Sequence, residues 1–177
     1  MEYKGLSLDS EVFDEISTKI QQSYPNSCVL YIDEVVNKSL QDKYVKQRDK
    51  LVELRSIETI KALQLFHGTK YACIGNIAQN GFQMKFNKVS AYGIGTYFST
   101  SATYSKEYMD TDENGVSYMF VCDVLIGKIG QVPRNTKIDT KNMDTSVNNI
   151  NNPTIYVSPY DDGCYPRYLV AFHKNAR

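Results

Sequence analysis

Three short segments constrain this chain more than any others: Leu65, Phe66, His67, Gly68 and Thr69; then Gly93, Ile94, Gly95, Thr96, Tyr97 and Phe98; then Ser105, Lys106, Glu107 and Tyr108. An apolar, aromatic run ending in His-Gly predicts a strand over residues 62–66 that delivers His67 into a cleft. The glycine after it lets a ligand come close to the backbone. Gly68 can then offer both its N–H and its C=O to a planar carboxamide. Two glycines before Thr96, Tyr97 and Phe98 predict a tight approach into a β-branched and aromatic strand from which Tyr97 projects. Residues 101–109 begin with helix-start chemistry, and on a helix Ser105 and Tyr108 stand three apart on one face. A hydroxyl beside a flat aromatic ring suits a small aromatic amide.

The flanking sequence reads as alternating short helices and strands. Residues 1–8 are a loose lead-in. Ser10 caps a helix on which Val12, Phe13, Ile16 and Ile20 recur at helical spacing, and Tyr24-Pro25-Asn26 stops it. Residues 28–36 predict a strand with Val29, Tyr31, Asp33 and Val35 on one face. Ser39 can cap a second helix that turns Leu40, Tyr44, Gln47, Leu51 and Leu54 inward, its charged face solvated. A short helix through Ile74, Ile77 and Ala78 ends at Asn80-Gly81. Residues 82–92 have no period and read as a mobile loop over the cleft. Residues 116–126 are the longest strand candidate, and 133–152 a polar, asparagine-rich surface loop. Strands over 154–157 and 168–172 flank a turn through Asp161, Asp162 and Gly163.

The 177 residues suit one domain with its own core, and there is no internal repeat. Lys+Arg and Asp+Glu balance at 20 each, so no basic surface points to nucleic acid, and a nucleic-acid partner is not expected. Cys28, Cys73, Cys122 and Cys164 are far apart, in neither a CxxC nor a Cys/His cluster. They read as reduced thiols of an intracellular protein, cytoplasmic or nuclear, without a metal. No apolar stretch approaches the roughly 20 residues of a membrane helix.

Taken together, His67-Gly68-Thr69, Gly93-x-Gly95-x-Tyr97-Phe98, and Ser105 and Tyr108 at eight and eleven residues past Tyr97 resemble the catalytic domain of poly(ADP-ribose) polymerase-like, diphtheria-toxin-type ADP-ribosyltransferases. The resemblance runs on through 118–128, 153–157 and 165–170, nearly the whole chain. Singly, His67 reads as a strand-end core histidine, and Tyr104 and Tyr108 as an aromatic core stripe. The joint order and spacing favour a site.

The resemblance implies an α+β fold of two packed, mostly antiparallel sheets with flanking short helices around an NAD+ cleft. Residues 1–60 would form a helix-strand-helix part and 61–177 the NAD-binding core, without the regulatory helical domain of some members. It implies NAD+ as co-substrate, with Gly68 and Ser105 on the carboxamide and the rings of Tyr97 and Tyr108 on the two faces of nicotinamide. His67 and Thr69 would lie at the adenosine ribose, with Phe98 and Tyr104 as further contacts. Polymer-forming members carry a glutamate where this chain has Ile155, and an isoleucine neither accepts a hydrogen bond nor takes a proton. The triad position His67, Tyr97, Ile155 therefore resembles the mono-ADP-ribosylating branch. That branch transfers one ADP-ribose to a protein side chain, here an acidic one and the chain itself among the acceptors, from a monomer. Two alternatives stay open: a weak or inactive NAD- or ADP-ribose-binding module, and modification of nucleic-acid ends.

Overall fold

The computed structural model describes residues 1–87 and 90–174. Among these residues nine strands and four α-helices follow one another as β1 (Glu2–Gly5), α1 (Glu11–Ser23), β2 (Ser27–Val36), α2 (Lys38–Leu54), β3 (Lys61–Gly68), α3 (Tyr71–Asn80), β4 (Thr96–Ser99), α4 (Ala102–Lys106), β5 (Val116–Ile126), β6 (Ile129–Gly130), β7 (Thr145–Val147), β8 (Ile155–Ser158) and β9 (Cys164–Lys174). Hydrogen bonding orders them β1-β2-β9-β5-β3-β4-β8-β7-β6 in one mixed sheet, antiparallel except where β6 meets β7. The α+β class stands. The two sheets of the expectation are here two halves of one sheet, and they touch at a single register pair, Phe66 with Ser99, between β3 and β4.

Both faces of the central strands are covered, which is why β5 is apolar almost throughout instead of alternating. Phe120, Cys122 and Val124 point to the face holding Leu65, Phe98 and the helix α3 residues Ile74 and Ile77. Met119 and Val121 point to the other, with Phe66, Val170, Phe172 and the α1 residues Ile16 and Ile20. Phe120, Met119, Ile20 and Val170 are wholly buried. At about 25 cal/mol per Å², such side chains carry most of the drive to fold.

Several boundaries differ from the sequence reading, each for a physical reason. Residues 2–5 are not loose: they add β1 to the edge of β2. Ser10 does cap α1, its Oγ accepting from the Phe13 N–H at 3.2 Å. In α2 the cap is Asn37 rather than Ser39. The Asn37 Oδ1 accepts from Leu40 N–H at 3.3 Å, and its Nδ2 donates to the carbonyls of Ala78 and Gln79 at 2.9 and 3.0 Å. One buried amide thus starts α2 and ties it to the end of α3. Leu54, expected inward, is exposed. The face expected in β2 is broken by a register shift between Val29 and Tyr31, which leaves Tyr31 exposed while Ile32 and Val35 are buried.

The polar stretch 133–152 is the largest correction. It holds β7, in which Thr145, Ser146 and Val147 are wholly buried. Its anchor is Asp144, whose carboxylate accepts from Arg55 Nε, Lys128 N–H and Tyr160 Oη. The bonds of Asp144 hold the strand there in place of an apolar stripe, so the period is silent. Arg167 reaches Asp123 at 3.1 Å and Glu34 at 3.9 Å, bracing β9 between β5 and β2. Among the described residues no helix is long and apolar enough to cross a membrane, and no group of acidic, cysteine or histidine side chains could hold a metal.

Candidate active site

Past the Phe66–Ser99 pair, β3 and β4 splay, and the gap between them opens a cavity of about 350 Å³. One lip carries His67, Gly68 and Thr69, the other Tyr97, and helix α4 with the turn after it supplies Tyr104, Ser105 and Tyr108. Seven of the residues singled out in the sequence therefore line one cavity. The volume lies within the roughly 300–1,000 Å³ common for small-molecule pockets.

His67 bridges the split. Its Nδ1 lies 2.8 Å from the Tyr97 carbonyl, replacing a ladder bond that the splayed strands cannot make. A carbonyl only accepts, so Nδ1 carries the proton and Nε2 keeps a lone pair. The ring packs edge-on to Phe82 at 4.9 Å and against Phe98 at 5.4 Å. Desolvation in this setting pushes the His67 pKa down to about 4, against the bond to Tyr97, which favours the charged form. The imidazole is neutral at physiological pH and suits accepting a hydrogen bond more than storing a proton.

The lowered value carries a pH prediction. Between about pH 6.5 and 4 the unfolded chain binds a proton at His67 that the folded chain does not. Stability contributed by neutral His67 is therefore complete above 6.5 and lost as pH falls toward 4. The loss should amount to roughly 2–3 kcal/mol. Urea unfolding from pH 7 to 4 should show it, and His67→Phe should flatten that part of the curve; an unchanged slope in the variant would remove His67 as the cause.

Gly68 owes its identity to packing more than to ligand access. A Cβ there would stand 1.8 Å from the Ser105 carbonyl oxygen, because the end of α4 lies directly on the strand. That contact keeps Ser105, 3% exposed, at the back of the cavity. The Ser105 Oγ donates to the Phe66 carbonyl at 3.2 Å, leaving its lone pairs for an amide N–H.

Tyr97 is pinned at both ends. Its backbone holds His67, and its hydroxyl accepts from Tyr92 N–H at 2.9 Å and donates to the Gly93 carbonyl at 2.8 Å. The rings of Tyr104 and Tyr108 lie 5.5 Å apart with planes tilted by 57°, and the Tyr108 hydroxyl donates to that of Tyr104 at 3.0 Å. Burial pushes the phenols of Tyr97 and Tyr104 up, so both stay protonated and neutral.

Two expected contacts lie elsewhere. Phe98 is 1% exposed and packs in the core beneath His67, because successive strand residues face opposite ways and Tyr97 takes the cleft side. Ile155 is buried opposite Ser99, on the sheet face that Tyr97 shares, and is not part of the cavity wall. Asp161 accepts from Met84 N–H at 2.8 Å, so it braces the loop over the cleft instead of standing in for the absent glutamate. The expected loop over 82–92 contains a 3-10 turn at Met84–Phe86, and its residues 88–89 lie outside the described residues.

The sequence reading missed four wall residues: Lys70, Phe86, Asn87 and Glu107. Only Asn87 had a legible signal, an amide six residues before a Gly-x-Gly. Its Nδ2 donates to the Gly95 carbonyl and Thr96 Oγ1, both at 3.0 Å, and closes the loop onto β4.

A split antiparallel sheet whose gap is bridged by a neutral histidine and walled by tyrosines, a serine and a glycine defines a class of domain. Matching of the whole sequence names it. The chain belongs to the family of the poly(ADP-ribose) polymerase catalytic domain, whose model matches residues 10–167. Among curated relatives, protein mono-ADP-ribosyltransferase PARP14 of Homo sapiens is 29% identical over 174 residues, covering 92% of this chain and 10% of its own length. Protein mono-ADP-ribosyltransferase PARP12 of Homo sapiens is 26% identical, covering 97% of this chain and 26% of its own length. Probable inactive poly [ADP-ribose] polymerase SRO1 of Arabidopsis thaliana is 30% identical over 49% of this chain and 16% of its own length. The chain thus spans between a tenth and about a quarter of each of these relatives.

Proposed function

We propose that this domain transfers one ADP-ribose unit from NAD+ to a protein side chain, its own included, and releases nicotinamide. The observation that carries the reading is the convergence of His67, Gly68, Ser105, Tyr97 and Tyr108 on one cavity in a member of this family. Gly68 and Ser105 hold the carboxamide, and the tyrosine rings flank the pyridine, an arrangement that contributes roughly 0.5–1.5 kcal/mol per aromatic pair beyond area burial. The His67 Nε2 lone pair accepts from a ribose hydroxyl, with Thr69 beside it.

In the reaction the C1′–N bond breaks, its electron pair returns to the pyridine nitrogen, and positive charge develops on the ribose as in glycoside cleavage. An acceptor carboxylate then forms the new C1′–O bond. With Ile155 in β8 there is no side-chain acid at that position to deprotonate a sugar hydroxyl, so one unit is added and no chain grows. An acceptor that brings its own carboxylate meets this lack, and the relatives whose names specify mono-ADP-ribosylation support the same reading. The protein would act inside the cell.

Incubating the chain with NAD+ and measuring intact mass should give additions of single ADP-ribose units, absent in Tyr97→Ala. Ladders sensitive to a polymer-specific hydrolase would contradict the Ile155 argument. The second reading, a module that binds NAD+ without cleaving it, is favoured by the missing acid and by a relative whose name calls it inactive. Its signature is a thermal shift with NAD+ and a nicotinamide release rate equal to that of buffer.

A further inference from the structure

We propose that Asp110 is a positioning residue for the nicotinamide end of the pocket: by capping helix α3 from across the cleft, it holds the turn that carries Tyr108 against the lip of His67, Gly68 and Thr69. The inference rests on the function proposed above, because the setting of Tyr108 matters to a ligand whose ring lies against it. Helix α3 begins directly after the lip, with Lys70 as its N-cap residue. A lysine has no acceptor to offer the first N–H groups of a helix. The acceptor comes from elsewhere in the chain: Asp110 Oδ1 takes the Tyr71 N–H at 2.6 Å. A carboxylate suits that place, the positive end of the helix dipole. Lys70 Nζ stands 3.8 Å from Asp110 Oδ2, a long contact between exposed side chains that adds little.

Capping from another element ties two walls together. Asp110 follows Tyr108 by two residues, in a turn where the Tyr108 N–H bonds the Ser105 carbonyl and the Met109 N–H the Lys106 carbonyl, both at 3.2 Å. At its inner end this segment is held by Ser105, whose Oγ donates to the Phe66 carbonyl, and Met109 packs inward on the α1 side. At its outer end the bond from Tyr71 to Asp110 joins it to the lip. Thr69, Lys70 and Tyr108 all line the cavity, so this bond sets the spacing of the two walls at the mouth. Helix α3 is fixed independently, through Ile74, Ile77 and Ala78 in the core. Loss of the bond therefore frees the Tyr108 side and not the lip. A carboxamide would still find Gly68 and Ser105, while its ring would meet a Tyr108 no longer held in place.

The test uses the full chain and two probes in calorimetry: benzamide, an occupant of the nicotinamide end, and ADP-ribose, which lacks that ring. Asp110→Ala should weaken benzamide about three- to tenfold, the scale of one aromatic contact, and leave ADP-ribose within about twofold. In steady state the same variant should raise KM for NAD+ by a like factor with kcat within about twofold, the mark of lost uniform binding. Asp110→Asn keeps an oxygen for the Tyr71 N–H and should bring benzamide back to within about twofold of the native affinity. Four results overturn the role of Asp110 while leaving the pocket in place: equal loss for both probes, no loss for benzamide, a fall in kcat at unchanged KM, or an asparagine variant as weak as alanine. Failure of benzamide to bind the unaltered chain overturns the nicotinamide pocket itself, and this inference with it.

Discussion

Gly68→Ala should lower nicotinamide release from NAD+ by at least about a hundredfold, although the substitution adds one carbon and removes no functional group. The added Cβ would lie 1.8 Å from the Ser105 carbonyl oxygen and 2.7 Å from its carbon, well inside the 3.0 Å that real Cβ atoms keep. The obstructing atoms are backbone, so no side chain can swing aside. Helix α4 cannot slide off freely either. Its first N–H, at Ala102, bonds Ser23 Oγ at 2.8 Å, and the Thr103 hydroxyl donates to the Ser23 carbonyl. The end of α4 must therefore tilt away from β3, moving Ser105 and Tyr108 relative to His67 and Tyr97. Overpacking of this kind costs about 1–3 kcal/mol. The chain should still unfold cooperatively while its activity is gone, and the two are measured by thermal unfolding and by nicotinamide release. Gly75, in the middle of α3 with nothing within 4 Å of its missing Cβ, is the matched control. Gly75→Ala should stabilise by roughly 0.5–1 kcal/mol and leave activity alone. Near-normal release from Gly68→Ala would mean that Ser105 does not need its position.

That contrast also marks where the sequence was readable. His67, Gly68, Tyr97, Ser105 and Tyr108 could be picked out because order and spacing within about forty residues survive in one dimension. The reason for Gly68 could not, since it lies in a residue 37 positions on whose carbonyl takes the space a side chain would need. Phe98, which the resemblance puts at the cleft, is sent to the core by strand alternation. Lys70 and Glu107 reach the wall only because β3 and β4 part after one pair, a tertiary event without a local signature. Apolar periods traced α1, α3 and β5 closely. They failed at β7, where a threonine and a serine are buried with a single valine, beside an aspartate. They failed again at the start of α2, where Asn37 outdid Ser39 because its amide also had the α3 carbonyls to satisfy.

Asp144→Ala should be the most destabilising single change away from the cleft, at roughly 3–5 kcal/mol. Asp144 is 1% exposed, and its two oxygens take the Arg55 Nε at 3.2 and 3.1 Å, the Lys128 N–H at 2.8 Å and the Tyr160 hydroxyl at 3.3 Å. Arg55, its side chain only 16% exposed, also donates to the Thr140 carbonyl. Alanine would leave a poorly solvated guanidinium, a backbone N–H and a phenol without their acceptor. Even the glycine beside them serves this arrangement, for a Cβ on Gly127 would meet Asp144 Oδ2 at 2.4 Å. Asp144→Asn keeps an oxygen for Lys128 but loses the charge that holds Arg55, so its cost should fall between those of the native chain and alanine. Urea unfolding at pH 7 gives all three values, and a loss below about 1 kcal/mol for alanine would show that water replaces the carboxylate freely. The consequence reaches the cleft. Asp144 precedes β7, and β7 pairs with β8, which pairs with the β4 strand that carries Tyr97. This half of the sheet joins the other by one strand pair, so loosening the clamp should also raise KM for NAD+ in chains that remain folded.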